Sequence, residues 1–344
     1  MIGPILHKWK FLNKMKKAFI TGINGQDGSY LSEYLLSLGY EVYGIVRRNS
    51  VSENQQSRFS EEIRLKLNIF YGDLLDQSRL DKLLNDINPD EIYNLAAQSH
   101  VRVSYDIPQF TVQANALGVL NILEAYKRVC PKARFYQASS SEMFGNSVDL
   151  DGFQRETTPF SPVSPYGCSK VFGFNIVKNY RNAFKLHACN GILFNHESPR
   201  RGSNFVTTKV VKTAVEIKYG LANKLILGNM DSHRDWGHSK DYVRAMHKII
   251  NHFDPDDFVV STMETHSVRE MVNYVFTKLD LDVEKYLAHD AKFMRPEELK
   301  YLRGDSTKIR SILNWQPEYC FESLLDDMIN HWQKTLINKN IYDK

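Results

Sequence analysis

The sequence predicts an α/β protein with a doubly wound parallel sheet and a smaller mixed α/β domain that binds substrate. Strand-like runs alternate with helical stretches through the first half of the chain. A glycine-rich loop separates the first strand from the first helix, and a tyrosine and a lysine follow at 166 and 170. A strand, a glycine loop and a helix in this order are typical of a Rossmann-type sheet.

Five strand candidates define the first half, at residues 17–21, 41–46, 68–72, 91–96 and 134–139. Because helical stretches separate them, we expect parallel strands covered on both faces. Beyond about residue 190, Gly, Asn and Pro punctuate shorter elements. We therefore predict a disordered leader over 1–14, a Rossmann domain over 15–190, and a substrate domain over 191–344 with segments that return to the sheet.

The composition of the 344 residues argues against several classes of function. The net charge is only +4 and three lysines of the leader contribute to it, so no nucleic-acid surface is expected. No apolar run is long enough to span a membrane. The four cysteines lack the paired spacing of a metal site, which favours a reducing, cytoplasmic setting. Since Met15 precedes the first strand, we interpret the leader as an upstream start rather than a secretory signal.

The first strand leads into a loop with three glycines. Glycine at 22 permits a tight turn, glycine at 25 lets the backbone approach a phosphate, and glycine at 28 lets the helix lie close to the strand. The helix N-terminus then faces the phosphates. The alternative is an ordinary glycine-rich turn. We predict that this loop binds a dinucleotide pyrophosphate through Gly22, Ile23, Asn24, Gly25, Gln26, Asp27 and Gly28.

The second strand ends in Arg47 and Arg48, where dinucleotide enzymes that prefer NAD commonly carry an acidic residue for the ribose. An arginine fork suits a phosphate dianion and gains nothing from a free ribose diol. We therefore predict NADP as the cofactor. The alternative is a solvated basic pair at a strand end.

Tyr166 and Lys170 are four residues apart, so they lie on one face if the segment is helical. Pro165 suits the first turn of such a helix. An ammonium group close to a phenol lowers the pKa of the phenol, which makes the tyrosine usable as a base. Tyr and Lys at this spacing also occur by chance, but after a dinucleotide loop the pair predicts hydride-transfer chemistry.

The fifth strand ends in a run of serine hydroxyls followed by Glu142. Ligands of an open α/β sheet bind at the carboxyl ends of its strands, so these side chains can reach substrate. Simple hydride transfer does not require the carboxylate, whereas proton removal next to a ketone does. Alternatively, Glu142 caps a helix or faces solvent, and the residues alone do not separate these interpretations.

With these residues in place, the chain resembles the GDP-mannose 4,6-dehydratase family from about Met15 to Trp332. The matching segments are GINGQDGSYL at 22–31, RR at 47–48, GDL at 72–74, NLAAQSHV at 94–101, FYQASSSEMFG at 135–145, SPYGCSK at 164–170, ACNGILFNHESPRRG at 188–202 and RDWGHSKDYV at 234–243. The last two are far more specific than the general dinucleotide signals.

The resemblance implies an extended short-chain dehydrogenase fold that binds NADP in the first domain and a GDP-sugar in the second. The implied reaction converts GDP-mannose to GDP-4-keto-6-deoxymannose and water. The implied catalytic residues are Ser140, Glu142, Tyr166 and Lys170. Beyond the glycine loop, the implied NADP contacts are Arg47, Asp73, Leu74, Leu95, Ala96, Ala97, Gln98, Ser99, Phe110, Lys170, His196 and Arg201. Substrate contacts would be Ser99, Ser140, Glu142, Tyr166, Asn195, Arg234, Arg295 and Glu298.

The sequence departs from the family pattern at three places. Ser140 stands where threonine is usual, which keeps the hydroxyl but loses the methyl group that restricts its rotamer. The loop from Asn49 to Phe59 differs from the serine-rich loop that reaches a neighbouring subunit, so a homodimer is expected before a homotetramer. Ala96 replaces a glycine found in many members, without an evident consequence.

Other functions are less consistent with the residues. His196 and Glu197 lack the second histidine of a zinc site, so no metal is predicted. A sugar-nucleotide epimerase or keto-reductase of the same fold would not need Glu142, and a dehydratase that also reduces its product remains an alternative. A non-catalytic regulator that binds NADP would not need Tyr166, Lys170 and Glu142 together.

Overall fold

The computed structural model describes residues 15–48, 58–290 and 297–342. The strands are β1 (Lys17–Thr21), β2 (Glu41–Val46), β3 (Leu67–Tyr71), β4 (Glu91–Asn94), β5 (Arg134–Ser140), β6 (Ala188–Leu193), β7 (Asn195–Glu197), β8 (Leu225–Leu227), β9 (His233–Arg234), β10 (Trp236–His238), β11 (Asp257–Val260), β12 (His266–Ser267) and β13 (Leu287–His289).

The α-helices are α1 (Gln26–Ser37), α2 (Glu61–Arg64), α3 (Gln77–Ile87), α4 (Val101–Asp106), α5 (Pro108–Val112), α6 (Gly118–Val129), α7 (Pro165–Phe184), α8 (Val206–Lys218), α9 (Ser239–Asn251), α10 (Val268–Lys278), α11 (Val283–Tyr286), α12 (Thr307–Leu313) and α13 (Phe321–Tyr342). A π-helix covers Gln113–Leu117 and a 3₁₀-helix covers Ser141–Met143. No helix in the described ranges is both long and apolar enough to cross a membrane.

Seven parallel strands form the central sheet in the order β11-β6-β5-β4-β1-β2-β3. The predicted α/β fold with a Rossmann-type doubly wound sheet is confirmed. The fourth predicted strand is too long, because β4 ends at Asn94 rather than at residue 96. The backbone N–H groups of Leu95 and Ala96 donate to Oγ1 of Thr21, each at 3.1 Å, instead of to a neighbouring strand.

Neighbouring side chains of β1 show how both faces of the sheet are covered. Ala18 contributes to an apolar cluster that includes residues of α1 and α9. Phe19 points to the opposite face and joins a cluster with residues of α3, α6 and α7. Successive side chains of a strand point to opposite faces, so an uninterrupted apolar strand requires helices on both sides.

The second half of the chain contributes to this sheet and also forms a separate core. β6 and β11 extend the sheet, and the predicted division after residue 190 falls inside β6. A further apolar cluster joins α8, α10 and α13 through residues such as Val211, Val272 and Leu325. The division into domains stays a prediction, and the leader at 1–14 lies outside the described residues.

Candidate active site

The loop between β1 and α1 can accept only glycine at two of its positions. Gly22 has φ of +71°, and a Cβ atom there would lie 2.9 Å from the backbone nitrogen of Ala96. A Cβ atom at Gly28 would lie 2.3 Å from the carbonyl oxygen of Gly22. Larger residues would therefore push α1 away from the loop. The sequence-based reasons for Gly22 and Gly28 agree with these contacts.

A cleft of about 1090 Å³ opens along the carboxyl ends of β1, β2, β3 and β4. Most predicted cofactor residues line it: Gly22, Asn24, Gly25, Gln26, Asp27, Gly28, Arg47, Asp73, Leu74, Leu95, Ala96, Ala97, Gln98, Ser99 and Phe110. Ile23 instead lies in the core, and the lining does not include Lys170, His196 or Arg201. Oδ1 of Asn24 is buried without a hydrogen-bond partner. The glycine cradle, the N-terminus of α1 and this unpartnered atom together fit a dinucleotide.

Two arginines, one against the glycine loop and one lining the cleft, were not anticipated from the sequence. Arg58 donates to the backbone oxygens of Asn24 at 2.6 Å and Arg200 at 2.7 Å, so it lies against the glycine loop. Arg64, on α2, lines the cleft together with Arg47, whose guanidinium lies 5.5 Å from the ring centroid of Phe110. No local pattern marks Arg58, because its partners are distant in the chain. Of the loop expected to differ from the family, residues 49–57 lie outside the described part.

His196 and Asp27 connect the second half of the chain to the start of α1. Nε2 of His196 lies 2.8 Å from Oδ2 of Asp27, and Nδ1 lies 2.7 Å from the carbonyl oxygen of Phe194. Burial alone would lower the pKa of His196, but the Asp27 carboxylate raises it. Both ring nitrogens face acceptors, an arrangement that favours the doubly protonated form of His196. Nearby, Arg201 forms an ion pair with Glu197 at 3.0 Å.

The four predicted catalytic residues come from two adjacent parts of the structure. Ser140 ends β5, Glu142 lies in the following 3₁₀-helix, and Tyr166 and Lys170 lie on the first turns of α7. Ser164 caps α7 by accepting from the backbone N–H of Gly167 at 3.0 Å, and Pro165 takes the first helical position as expected. All four side chains are buried.

The protonation of Tyr166 differs from the sequence prediction. Burial raises the pKa of Tyr166 to about 12, although a hydrogen bond with Ser140 lowers it in part. Burial also lowers the pKa of Lys170 to about 8. The predicted lowering of the Tyr166 pKa by Lys170 is wrong in this structure. Nζ of Lys170 donates to the carbonyl oxygen of Ala138 at 2.8 Å and lies 5.7 Å from the Tyr166 ring centroid, so desolvation dominates.

Glu142 faces the site rather than solvent. Its side chain is only 7 % exposed, and its carboxylate is close enough to Tyr166 to raise the pKa of the phenol. Its backbone N–H donates to Oγ of Ser140 at 3.3 Å. The solvent-facing interpretation of Glu142 is therefore wrong, and a carboxylate, a phenol and a hydroxyl meet at one point. Such a set can move protons at two adjacent carbon atoms.

Ser99 lines the cleft, and the other predicted substrate residues outside this group belong to the second half of the chain. Arg234 lies 3.9 Å from Glu298 and donates to the backbone oxygen of Leu299 at 2.9 Å. Asn195 is the register partner of Trp236 in the β7 and β10 pair, which brings it next to the strand that follows Arg234. Arg295 lies outside the described residues. Within the described ranges, no group of three His, Cys, Asp or Glu side chains is arranged to hold a metal ion.

Comparison with known proteins identifies related sequences over most of the chain. The sequence profile of the family described as GDP-mannose 4,6 dehydratase matches residues 19–328. The GDP-mannose 4,6 dehydratase of Drosophila melanogaster is 45% identical, covering 91% of this chain and 85% of the relative. The Homo sapiens enzyme of that name is 43% identical, with 91% and 90% covered. The GDP-mannose 4,6-dehydratase of Yersinia enterocolitica is 42% identical, with 96% and 98% covered.

Solved structures with lower sequence identity share the fold. A UDP-glucose 4-epimerase from Thermotoga maritima, solved with UDP-glucose, superposes with a TM-score of 0.82 at 21% identity. The superposition covers 93% of this chain and 99% of the epimerase chain. A dTDP-glucose 4,6-dehydratase from Bacillus anthracis, solved with NAD, superposes with a TM-score of 0.80 at 21% identity, with 93% and 97% covered. At this identity, the likeness concerns the fold alone.

Proposed function

The chain belongs to the GDP-mannose 4,6-dehydratase family, and from this premise we propose that it converts GDP-mannose to GDP-4-keto-6-deoxymannose with loss of water. The observation that carries the proposal is the buried carboxylate of Glu142 beside Ser140 and Tyr166. Oxidation and re-reduction of a sugar need only the hydroxyl groups and the lysine. Elimination of water needs an additional group that moves protons at carbon, and Glu142 supplies it.

For the cofactor, we propose NADP rather than NAD. The backbone N–H groups of the glycine loop and the N-terminus of α1 would hold the pyrophosphate, and Arg47 would bind the phosphate of the adenosine ribose. Oδ1 of Asn24 would accept a hydrogen bond from a donor group of the dinucleotide. Lys170, His196 and Arg201 would contact the part of the dinucleotide nearest the second half of the chain. Bound there, the dinucleotide would supply the acceptor for hydride from carbon 4 of the sugar and the donor of hydride to carbon 6.

We propose separate roles for the residues that move protons. Tyr166 receives the proton of the hydroxyl at carbon 4. The hydrogen bond of Ser140 and the charge of Arg201 partly offset the rise in the Tyr166 pKa that burial causes. The ketone formed at carbon 4 acidifies the proton at carbon 5, and Glu142 removes it. The protonated carboxyl of Glu142, with Ser140, then delivers a proton to the hydroxyl that leaves carbon 6 as water.

We propose that the GDP part of the substrate lies against the second half of the chain. Asn195, Arg234, Arg295 and Glu298 would contact it. The support is the proximity of Arg234 to Glu298 and of Asn195 to the strand after Arg234. A guanidinium group there suits the diphosphate, and a carboxylate suits donor groups of the base or ribose.

The proposed reaction predicts a product that is lighter than GDP-mannose by one water. We expect this product when the full chain is incubated with GDP-mannose and NADP and the mixture is analysed by mass spectrometry. UDP-glucose and dTDP-glucose serve as control substrates that lack the guanine base. A product of unchanged mass with an altered sugar would instead favour an epimerase. A loss of two hydrogens, with one equivalent of reduced dinucleotide formed, would favour a keto-reductase running in reverse.

The NADP assignment predicts a selective effect of Arg47→Ala. The wild type should bind NADP more tightly than NAD, and the variant should lose about tenfold or more of its NADP affinity while NAD affinity changes little. A charge-assisted contact to a phosphate contributes about 1.5–3 kcal/mol. Arg48→Ala is the matched control, because Arg48 does not appear among the residues that line the cleft. Equal affinities of the wild type for both dinucleotides, measured by titration, would contradict the assignment.

We propose a homodimer as the assembled state, with a homotetramer as the alternative. Three large apolar side chains, Val112, Leu117 and Phe172, are 43–46% exposed on α5, the π-helix and α7. These elements pack against one another, and we infer that their exposed apolar side chains contribute to a surface for a second subunit. Sedimentation velocity of the full chain distinguishes the two states.

We propose that the protein works in the cytoplasm. All four cysteines, Cys130, Cys168, Cys189 and Cys320, are unpaired. Unpaired thiols are typical of a reducing compartment.

A further inference from the structure

Three polar side chains, one from each of the neighbouring strands β1, β4 and β5, form a row across the central sheet. Thr21 of β1 is the register partner of Asn94 of β4, and Asn94 is the register partner of Gln137 of β5. At most 2 % of each side chain is exposed. Buried polar groups in such a position cost free energy unless they are hydrogen bonded, so the partners of these three residues are informative.

The row is a continuous chain of hydrogen bonds. Oγ1 of Thr21 donates to Oδ1 of Asn94 at 2.6 Å, and Nδ2 of Asn94 donates to Oε1 of Gln137 at 2.8 Å. Nε2 of Gln137 then donates to the carbonyl oxygen of Ala138 at 3.1 Å. Rotating either amide by half a turn would place acceptor against acceptor or donor against donor, so the chain has one direction.

Each end of the chain meets a different part of the active site. At one end, Oγ1 of Thr21 accepts from the backbone N–H groups of Leu95 and Ala96, which line the dinucleotide cleft. At the other end, the carbonyl oxygen of Ala138 also accepts from Nζ of Lys170 at 2.8 Å. The same three side chains therefore contact both the loop after β4 and the Ala138 carbonyl oxygen, which orients Lys170.

We propose that Thr21, Asn94 and Gln137 are positioning residues that hold the loop after β4 and the Ala138 carbonyl in register, and thereby align Lys170 with the dinucleotide cleft. This inference rests on the proposed function, in which Lys170 contacts the dinucleotide. Hydrogen bonds in a buried chain polarise one another, so a break at one link weakens the others. The three residues then act on catalysis as a unit.

The test is a double-mutant cycle with Thr21→Val and Gln137→Leu, which remove hydrogen-bonding groups at similar volume. We expect each single variant to lower kcat about tenfold, the effect of one buried hydrogen bond, with KM for GDP-mannose within about twofold. The double variant should lose much less than the product of the two effects, because both break one chain. Thr21→Ser, which keeps the hydroxyl, should retain wild-type kcat.

Dinucleotide affinity separates the two ends of the chain without requiring turnover. Thr21→Val removes the acceptor for Leu95 and Ala96, so we expect weaker dinucleotide binding, measured by fluorescence titration, whereas Gln137→Leu should bind normally. If Gln137→Leu does not fold, Gln137→Glu keeps the acceptor for Asn94 but loses the donor to Ala138, and the same loss of kcat is expected.

Several results would overturn the inference. One is a wild-type kcat in Gln137→Leu, or in Gln137→Glu where that variant is used instead. Another is a double variant whose kcat falls by the product of the two single effects. A third is an equal loss of kcat in Thr21→Ser and Thr21→Val. Failure of the proposed function is distinguishable, because the wild type would then form no dehydrated product. In that case, the difference in dinucleotide affinity between Thr21→Val and Thr21→Ser would still test the end of the hydrogen-bond chain that contacts Leu95 and Ala96.

Discussion

Glu142→Gln should lower the formation of dehydrated product by about a thousandfold, within the range that proton transfer by a positioned side chain contributes. The carboxamide keeps the shape of the buried side chain but cannot accept the proton at carbon 5. Oxidation at carbon 4 does not use Glu142, so the variant should accumulate the sugar oxidised at carbon 4. The measurements are mass spectrometry of the product and the absorbance of the reduced dinucleotide after GDP-mannose is added.

Isotope labelling tests the same role in the wild type. In heavy water, the product should gain deuterium at carbon 5, because the proton removed there exchanges with solvent. The hydrogen that reaches carbon 6 as hydride should originate from carbon 4 and carry no solvent label. Glu322→Gln, an exposed glutamate at the start of α13, is a control that should turn over normally. Near wild-type dehydration by Glu142→Gln, or no deuterium at carbon 5 of the wild-type product, would contradict the role assigned to Glu142.

Tyr166→Phe should stop the reaction before any oxidation of the sugar. The phenylalanine ring fills the same buried space at the start of α7, but no oxygen remains to receive the proton of the hydroxyl at carbon 4. We expect a loss of at least about a thousandfold in kcat, with GDP-mannose still bound, because the substrate residues of the second half are unchanged.

A second tyrosine of α7 gives a matched control for this variant. Tyr180 is also buried, and its hydroxyl donates to Glu124. Tyr180→Phe should therefore affect stability rather than turnover. The readouts are the absorbance of the reduced dinucleotide in a single turnover and the affinity for GDP-mannose by calorimetry. Appreciable oxidation by Tyr166→Phe would mean that another group is the first base.

Part of the active site could be predicted from the sequence because its determinants are contiguous. The positive φ of Gly22 and the close approach of Gly28 to the Gly22 carbonyl are set by one strand, one loop and one helix. Tyr166 and Lys170 are neighbours because a helix brings residues four apart to one face. The motifs also indicated the family, which the comparisons confirmed over residues 19–328.

Other features depend on residues that meet only in the folded chain. Arg58 contacts the glycine loop although no local sequence pattern marks it. Asp27 contacts His196, which follows it by 169 residues in the chain. The wrong prediction for the Tyr166 pKa has the same origin. Helical spacing places a lysine near a tyrosine, but burial and the direction of Nζ decide which form of the phenol is favoured.

By itself, then, the sequence determined the α/β fold, the glycine cradle and the helical tyrosine and lysine pair, because periodicity and local sterics are properties of contiguous residues. The family followed from the resemblance of its motifs. Only the tertiary structure decided that β6 and β11 complete the sheet, that β4 ends at Asn94, and that a buried chain of hydrogen bonds runs from Thr21 to Ala138. These features follow from strand register and burial, which arise when distant segments pack together.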